Sequence, residues 1–326
     1  MRNNALDLSR LVASFFIIVV HSGNFPEMTP EYADMFQASS RWAVPFFFLV
    51  SGYLMGDGKD LKVSHKLNRL FVILFYSSMI YVPIIYISTG YSFHKSVALL
   101  ASFTTLRSGT SFHLWFLPSL MLGVLITNYF IKNVNALTGL IISVALLIAY
   151  WMSDIGQAFG LLKNKNEAFY LFRTLHGISL VYIGYLLSIR NSLKDIGKKY
   201  ALVVLIIGVS LMIIEVPALK LFSNVQTLPR QFPFFSVFSA IALLSVCINT
   251  NIKEGFFSKA GRDYSLGIYL IHPFILYFMV PYLNRHGINI SIVNLIFSFI
   301  ISLFVMHTIK KVLPIAYNKL NGIGVK

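Results

Sequence analysis

Two ionisable residues stand inside the first apolar stretch, LSRLVASFFIIVVHSG (residues 8–23): Arg10 and His21, eleven positions apart. On an α-helix, eleven steps make about three turns and roughly 16 Å of rise, so both side chains fall on nearly one face, one towards each end. A charge costs roughly 2.5–3.5 kcal/mol at the middle of an inserted helix, which makes such residues functional candidates. An imidazole such as His21 can act as a general base near neutral pH. A guanidinium such as Arg10 suits an anionic ligand, phosphate above all.

The elements that must position this pair are membrane helices. The chain has 326 residues, 56% hydrophobic and 12% charged, and a mean hydropathy of +0.72. A soluble domain carries about twice that charged fraction. Apolar runs near twenty residues recur throughout, which is the pattern of a polytopic helical membrane protein. Ten spans are expected, at 8–24, 40–56, 70–89, 113–131, 136–152, 168–188, 200–216, 232–249, 264–283 and 290–310. The segment 95–106 is apolar but too short to span and suits the membrane interface. This leaves one transmembrane domain over residues 1–326 and no separate soluble domain.

Loop charges set the expected orientation. With the N-terminus inside, the cytoplasmic segments, together with Lys310 at the inner edge of the last span, hold 17 Lys and Arg and the opposite segments 7. That bias follows the positive-inside rule and puts both termini in the cytoplasm. It also accounts for the net charge of +15 without nucleic acid as a partner. The N-terminal run resembles a signal peptide, but Arg10 interrupts it and no small-x-small cleavage site follows, so a retained helix is expected. The single cysteine, Cys247, lies in an apolar run, so no intramolecular disulfide can form.

This topology sorts the unusual residues into two levels. The outer one gathers His21, Arg41, His113, Trp115 and Arg173, with His176 about one turn from Arg173. The inner one gathers Asp7, Arg10, Tyr53, Arg69 and Arg262. An extended ligand, phosphorylated at its inner end, would join them. The carboxylates nearest to His21 by topology are Glu27 and Glu31 in the adjacent loop and Asp154 opposite. No His, Cys or carboxylate set has metal-ligand spacing. Plainer roles compete for several of these residues. Arg41 and Trp115 suit interfacial anchors, His272 before Pro273 suits a kink, Ser51 and Gly52 suit close helix approach, and Arg69 beside Lys62 and Lys66 suits an inside-positive charge.

At these residues the chain resembles the acyltransferase 3 family of integral membrane acyltransferases. The resemblance rests on Arg10 and His21 within LDLSRLVASFFIIVVH, on RWAVPFFFLVSGYLM (41–55), on FHLWFLPSLMLG (112–123) and on YSLGIYLIHPF (264–274). It implies transfer of an acyl group, most often acetyl, from cytoplasmic acyl-CoA to a hydroxyl of a cell-surface or lipid-linked glycan, in the inner membrane of a bacterium. His21 would then be the catalytic histidine and Arg10 would assist the donor, acetyl-CoA, with no metal. Arg41, Tyr53, Arg69, His113, Trp115 and Arg173 are candidates for binding donor or substrate, and Trp115, Arg41 or Arg173 for holding the thioester oxyanion. Two other readings are open: a transporter or exporter of a glycan or small polar solute, and acyl transfer to an amine.

Overall fold

The computed structural model describes residues 3–56, 61–161, 167–222 and 230–325, with no strand among them. Arg2, Lys59, Lys163, Lys165 and Lys326, which enter the loop-charge argument, lie outside the described residues. The chain opens with α1 (Asn4–Val19), the short α2 (Pro30–Ser39) and α3 (Ala43–Gly56). The long α4 (Val63–Ser88) leads to α5 (Phe93–Leu100) and α6 (Phe103–Ser108), and a 3-10 turn, Phe112–Trp115, starts α7 (Phe116–Asn133). Then come α8 (Ala136–Ala158), α9 (Glu167–Ile189), the single turn α10 (Ser192–Asp195) and α11 (Lys198–Lys220). The last helices are α12 (Ser236–Ile248), α13 (Phe256–Arg285), α14 (Ser291–Val312) and α15 (Pro314–Leu320).

Among the described residues, seven helices are long and apolar enough to cross a bilayer: α4, α7 with its 3-10 turn, α8, α9, α11, α13 and α14. Their outward faces carry large apolar side chains such as Ile141 and Ile148 on α8, Ile206 and Ile207 on α11, and Ile300 and Phe304 on α14, all exposed. In water such a surface would drive association, and lipid is its natural solvent.

The other three expected spans form shorter helices, of 16, 14 and 13 residues for α1, α3 and α12, against the roughly 20 that a bilayer needs. Local chemistry trims each of them. Asn3 caps the start of α1 by accepting from the Leu6 N–H at 2.8 Å. Ser22 Oγ takes the Ile18 carbonyl at 2.8 Å and Gly23 follows at φ 122°, so α1 ends at Val19. Residues 40–42 turn before α3, with Pro45 in its first turn. Irregular backbone containing Pro233 precedes α12. The 95–106 segment divides into α5 and α6.

Two helices act as hubs. α1 packs against α3, α12, α13 and α14, and α9 packs against α3, α7 and α8. Glycines make the second hub tight. A Cβ on Gly52 would lie 1.9 Å from the Val181 carbonyl oxygen, one on Gly184 2.2 Å from Leu49 O, and one on Gly123 2.7 Å from Gly177 O. Small residues let helix backbones meet in this way. Overpacking of a close seam costs about 1–3 kcal/mol. Gly52→Ala should therefore lower the thermal midpoint of detergent-purified protein, and an unchanged midpoint would contradict the α3–α9 seam.

Candidate active site

A cavity of about 760 Å³ lies at the end of the bundle where α1 finishes and α3, α7 and α9 begin. Its wall includes His21 from the turn after α1, Arg41 from the turn before α3, Trp115 from the 3-10 turn, and Arg173 and His176 from α9. Four of the five residues expected at one level are therefore brought to one cavity. The geometry after α1 differs slightly from a continuous helix: His21 N–H donates to Ile18 O at 2.9 Å, a tightened last turn. His21 remains in register with α1 but sits just beyond its end.

Around His21 there is a cluster of rings. Its imidazole stacks on His272, with centroids 5.4 Å apart and planes at 23°, and meets Phe112 edge-on at 5.0 Å. No hydrogen bond fixes the His21 ring among the described residues, so its nitrogens are left for a ligand in the cavity. His272 is fully buried. Its Nδ1 donates to Ile268 O at 3.1 Å, which fixes the tautomer, and its Nε2 has no partner among the described residues. His113 lies behind the wall, 1% exposed. Its Nε2 reaches Leu270 O at 3.3 Å and its Nδ1 pairs with Ser111 Oγ at 3.0 Å. The Tyr81 hydroxyl donates to the same Leu270 carbonyl at 2.7 Å, and the Tyr269 hydroxyl donates to the His113 carbonyl. These bonds tie the 3-10 turn to the stretch of α13 just before Pro273 and hold His272 against His21. His113 thus braces the site from outside the cavity.

A second cluster forms the opposite wall. Arg173 stacks over Trp115 at 4.9 Å and over Tyr170 at 4.8 Å. Arg107 lies over the same Tyr170 ring at 4.8 Å. Arg41 Nη1 donates to Gln231 Oε1 at 3.0 Å. Gln231 is itself held by a buried ionic clamp. Arg230, with no side-chain exposure, pairs with Asp154 at 3.1 Å and Glu215 at 3.0 Å. Asp154 also accepts the Gln231 and Phe232 N–H groups, both at 3.0 Å, and Glu215 accepts that of Phe234 at 2.8 Å. Two carboxylates thereby pin the backbone that presents Gln231 and Phe232 to the cavity.

The carboxylates expected nearest to His21 by topology serve elsewhere. Glu27 caps α14 through the Ser291 and Ile292 N–H groups at 3.1 and 2.7 Å, Glu31 lies 3.5 Å from Lys220, and Asp154 belongs to the clamp. The inner-level residues stand apart from this cavity. Arg10 pairs with Asp7 at 3.3 Å. Arg69 donates twice to Asn321 O, at 3.2 and 3.0 Å, which fixes the C-terminal turn. Tyr53 packs on the core, and Arg262 pairs with Asp263 at 2.9 Å. Among the described residues no group of three or more His, Cys, Asp or Glu is placed to hold a metal.

Sequence reasoning missed His272, Arg107 and Gln231 as parts of the site, and Tyr150, which also lines the cavity. The signal for His272 was present, a histidine inside an apolar run, but the adjoining proline offered a simpler role for it.

A family model described as an acyltransferase domain matches residues 3–309. The chain is also similar to an amino-acid racemase of Enterococcus faecalis, with 23% identity over 95% of this chain and 47% of that protein. A serine/alanine racemase of Enterococcus gallinarum is 24% identical over 87% of this chain and 38% of that protein. The chain thus spans less than half the length of these curated relatives. No solved structure gives a significant match. With its seven apolar helices and a domain match over nearly its whole length, the chain is a multi-pass membrane protein and belongs to the acyltransferase 3 family.

Proposed function

We propose that the protein transfers an acyl group, acetyl in the first instance, from acyl-CoA to a hydroxyl of a cell-surface glycan or its lipid-linked precursor. The observation that carries this reading is the His21 ring at the cavity wall, stacked on His272 and without a hydrogen bond to any described residue, in a chain of an acyltransferase family. His21 takes the proton of the acceptor hydroxyl as its oxygen attacks the thioester carbonyl. The new C–O bond forms, the C–S bond breaks, and the CoA thiolate leaves with the proton returned from the imidazolium. Trp115, on the cavity wall beside Arg173, supplies a donor for the oxyanion. Arg10 assists the donor from the opposite end of α1. In this reading all ten apolar helices lie in the inner membrane of a bacterium, both termini face the cytoplasm, and acetyl-CoA enters from there.

The racemase names of the relatives favour one alternative acceptor, the amino group of an amino acid, at the same cavity. Proteoliposomes given labelled acetyl-CoA test both. Label in an alkali-labile ester of extracted glycan supports O-acylation, and label in an alkali-stable amide supports the amine. Solute movement independent of acyl-CoA, with no label transferred, would turn the reading to a transporter.

A further inference from the structure

The cavity's charge is one-sided. Arg41, Arg107 and Arg173 line it, and no Asp or Glu is among the described lining residues. Asp154, a buried carboxylate bonded to the Gln231 N–H, is occupied by Arg230 and by two backbone N–H groups. Neither Arg41 nor Arg173 has an ion-pair partner among the described residues. The Nε of each is buried without a hydrogen bond. An arginine held only by ring faces keeps its in-plane N–H donors, since cation–π contact uses the face of the guanidinium and not its edge. Arg173 is held in that way by Trp115 and Tyr170. Arg41 spends one nitrogen on a neutral amide. Both side chains are part-exposed along the cavity, so their remaining N–H donors are open to an anionic ligand that supplies the counter-charge.

We infer that Arg41 and Arg173, with Arg107 on the same wall, form an anion subsite beside His21, and that the group bound there is a carboxylate or a phosphate. Planar guanidinium forks match both groups with paired charge-assisted hydrogen bonds. The anion has two possible sources, a charged group on the acceptor or a phosphate of the acyl donor. Choosing between them rests on the acyl-transfer reading, but the subsite itself does not.

The test uses the full chain purified in detergent, titrated with inorganic phosphate and with acetate against chloride at equal ionic strength. The readouts are thermal midpoint and tryptophan fluorescence, because Trp115 touches Arg173. Phosphate or acetate should give a saturable rise that chloride does not. A lost charge-assisted bond corresponds to about tenfold or more in affinity. Arg41→Gln and Arg173→Gln should each weaken the response by that factor, and Arg173→Lys should recover part of it. If one Gln variant fails to fold, the other and the Lys variant still decide. An equal response from wild type and these variants, or none from wild type, overturns the subsite. Titration with CoA then assigns the source: competition with phosphate places the donor's phosphate in the subsite, and additive effects place an acceptor anion there. Failure of the transfer assay with anion binding intact would remove the enzymatic reading and leave the subsite standing.

Discussion

His21→Ala should slow acetyl transfer by about 10²–10⁴-fold, the range that a positioned general base contributes, while the protein stays folded and still binds the acyl donor. Little else depends on this ring. It makes no hydrogen bond with a described residue and contacts mainly His272 and Phe112. The check pairs initial transfer rates with the saturable thermal shift given by acetyl-CoA. Wild-type rates in the variant would remove His21 from the chemistry. Arg10→Ala provides the contrast. Arg10 lies away from the cavity, paired with Asp7, so in the proposed reading its loss raises the KM for acyl-CoA and leaves kcat nearly unchanged.

Arg230→Met should destabilise the fold by about 3–5 kcal/mol, the usual cost of breaking a buried ion pair from one side. Arg230 is fully buried between Asp154 and Glu215, and its removal leaves two carboxylates without their cation. The damage should reach the cavity, because the same carboxylates hold the backbone at Gln231, Phe232 and Phe234 and Gln231 orients Arg41. The expected result is a large drop in thermal midpoint and in monodisperse yield. Adding Glu215→Gln to Arg230→Met should restore part of the loss, since it removes one stranded charge and keeps an acceptor for the Phe234 N–H. A single variant that melts like wild type would contradict the clamp.

The seven long helices were legible because their signal is local: about twenty apolar residues in a row are visible without knowing any partner. The three short ones were legible as apolar runs but not as helix lengths, which Ser22, Gly23 and the prolines near α3 and α12 decide. Four cavity residues could be read together, His21, Arg41, Trp115 and Arg173, because each is a polar or interfacial group placed by topology at one level. Tyr53 and Arg69 fell to the other level by the same logic, but that level does not close into the same cavity. Depth along a helix can be read from sequence, whereas the direction a side chain takes around the helix depends on neighbours. His272 shows this: its position 251 residues after His21 says nothing of a stack that only the α1–α13 packing creates. The Arg230 clamp is likewise invisible in sequence, since Asp154, Glu215 and Arg230 lie on separate segments.

The most direct test of the central claim, that transfer takes place in the His21 cavity, is to fill that cavity chemically. Cys247 is the single cysteine and is 1% exposed, so a second thiol introduced by Ser108→Cys on the cavity wall should be the reactive one. A bulky maleimide should then label Ser108→Cys but not wild type. Labelling should abolish acetyl transfer, and saturating substrate should slow the labelling. Full transfer by the completely labelled variant would contradict the account and move the chemistry elsewhere in the bundle.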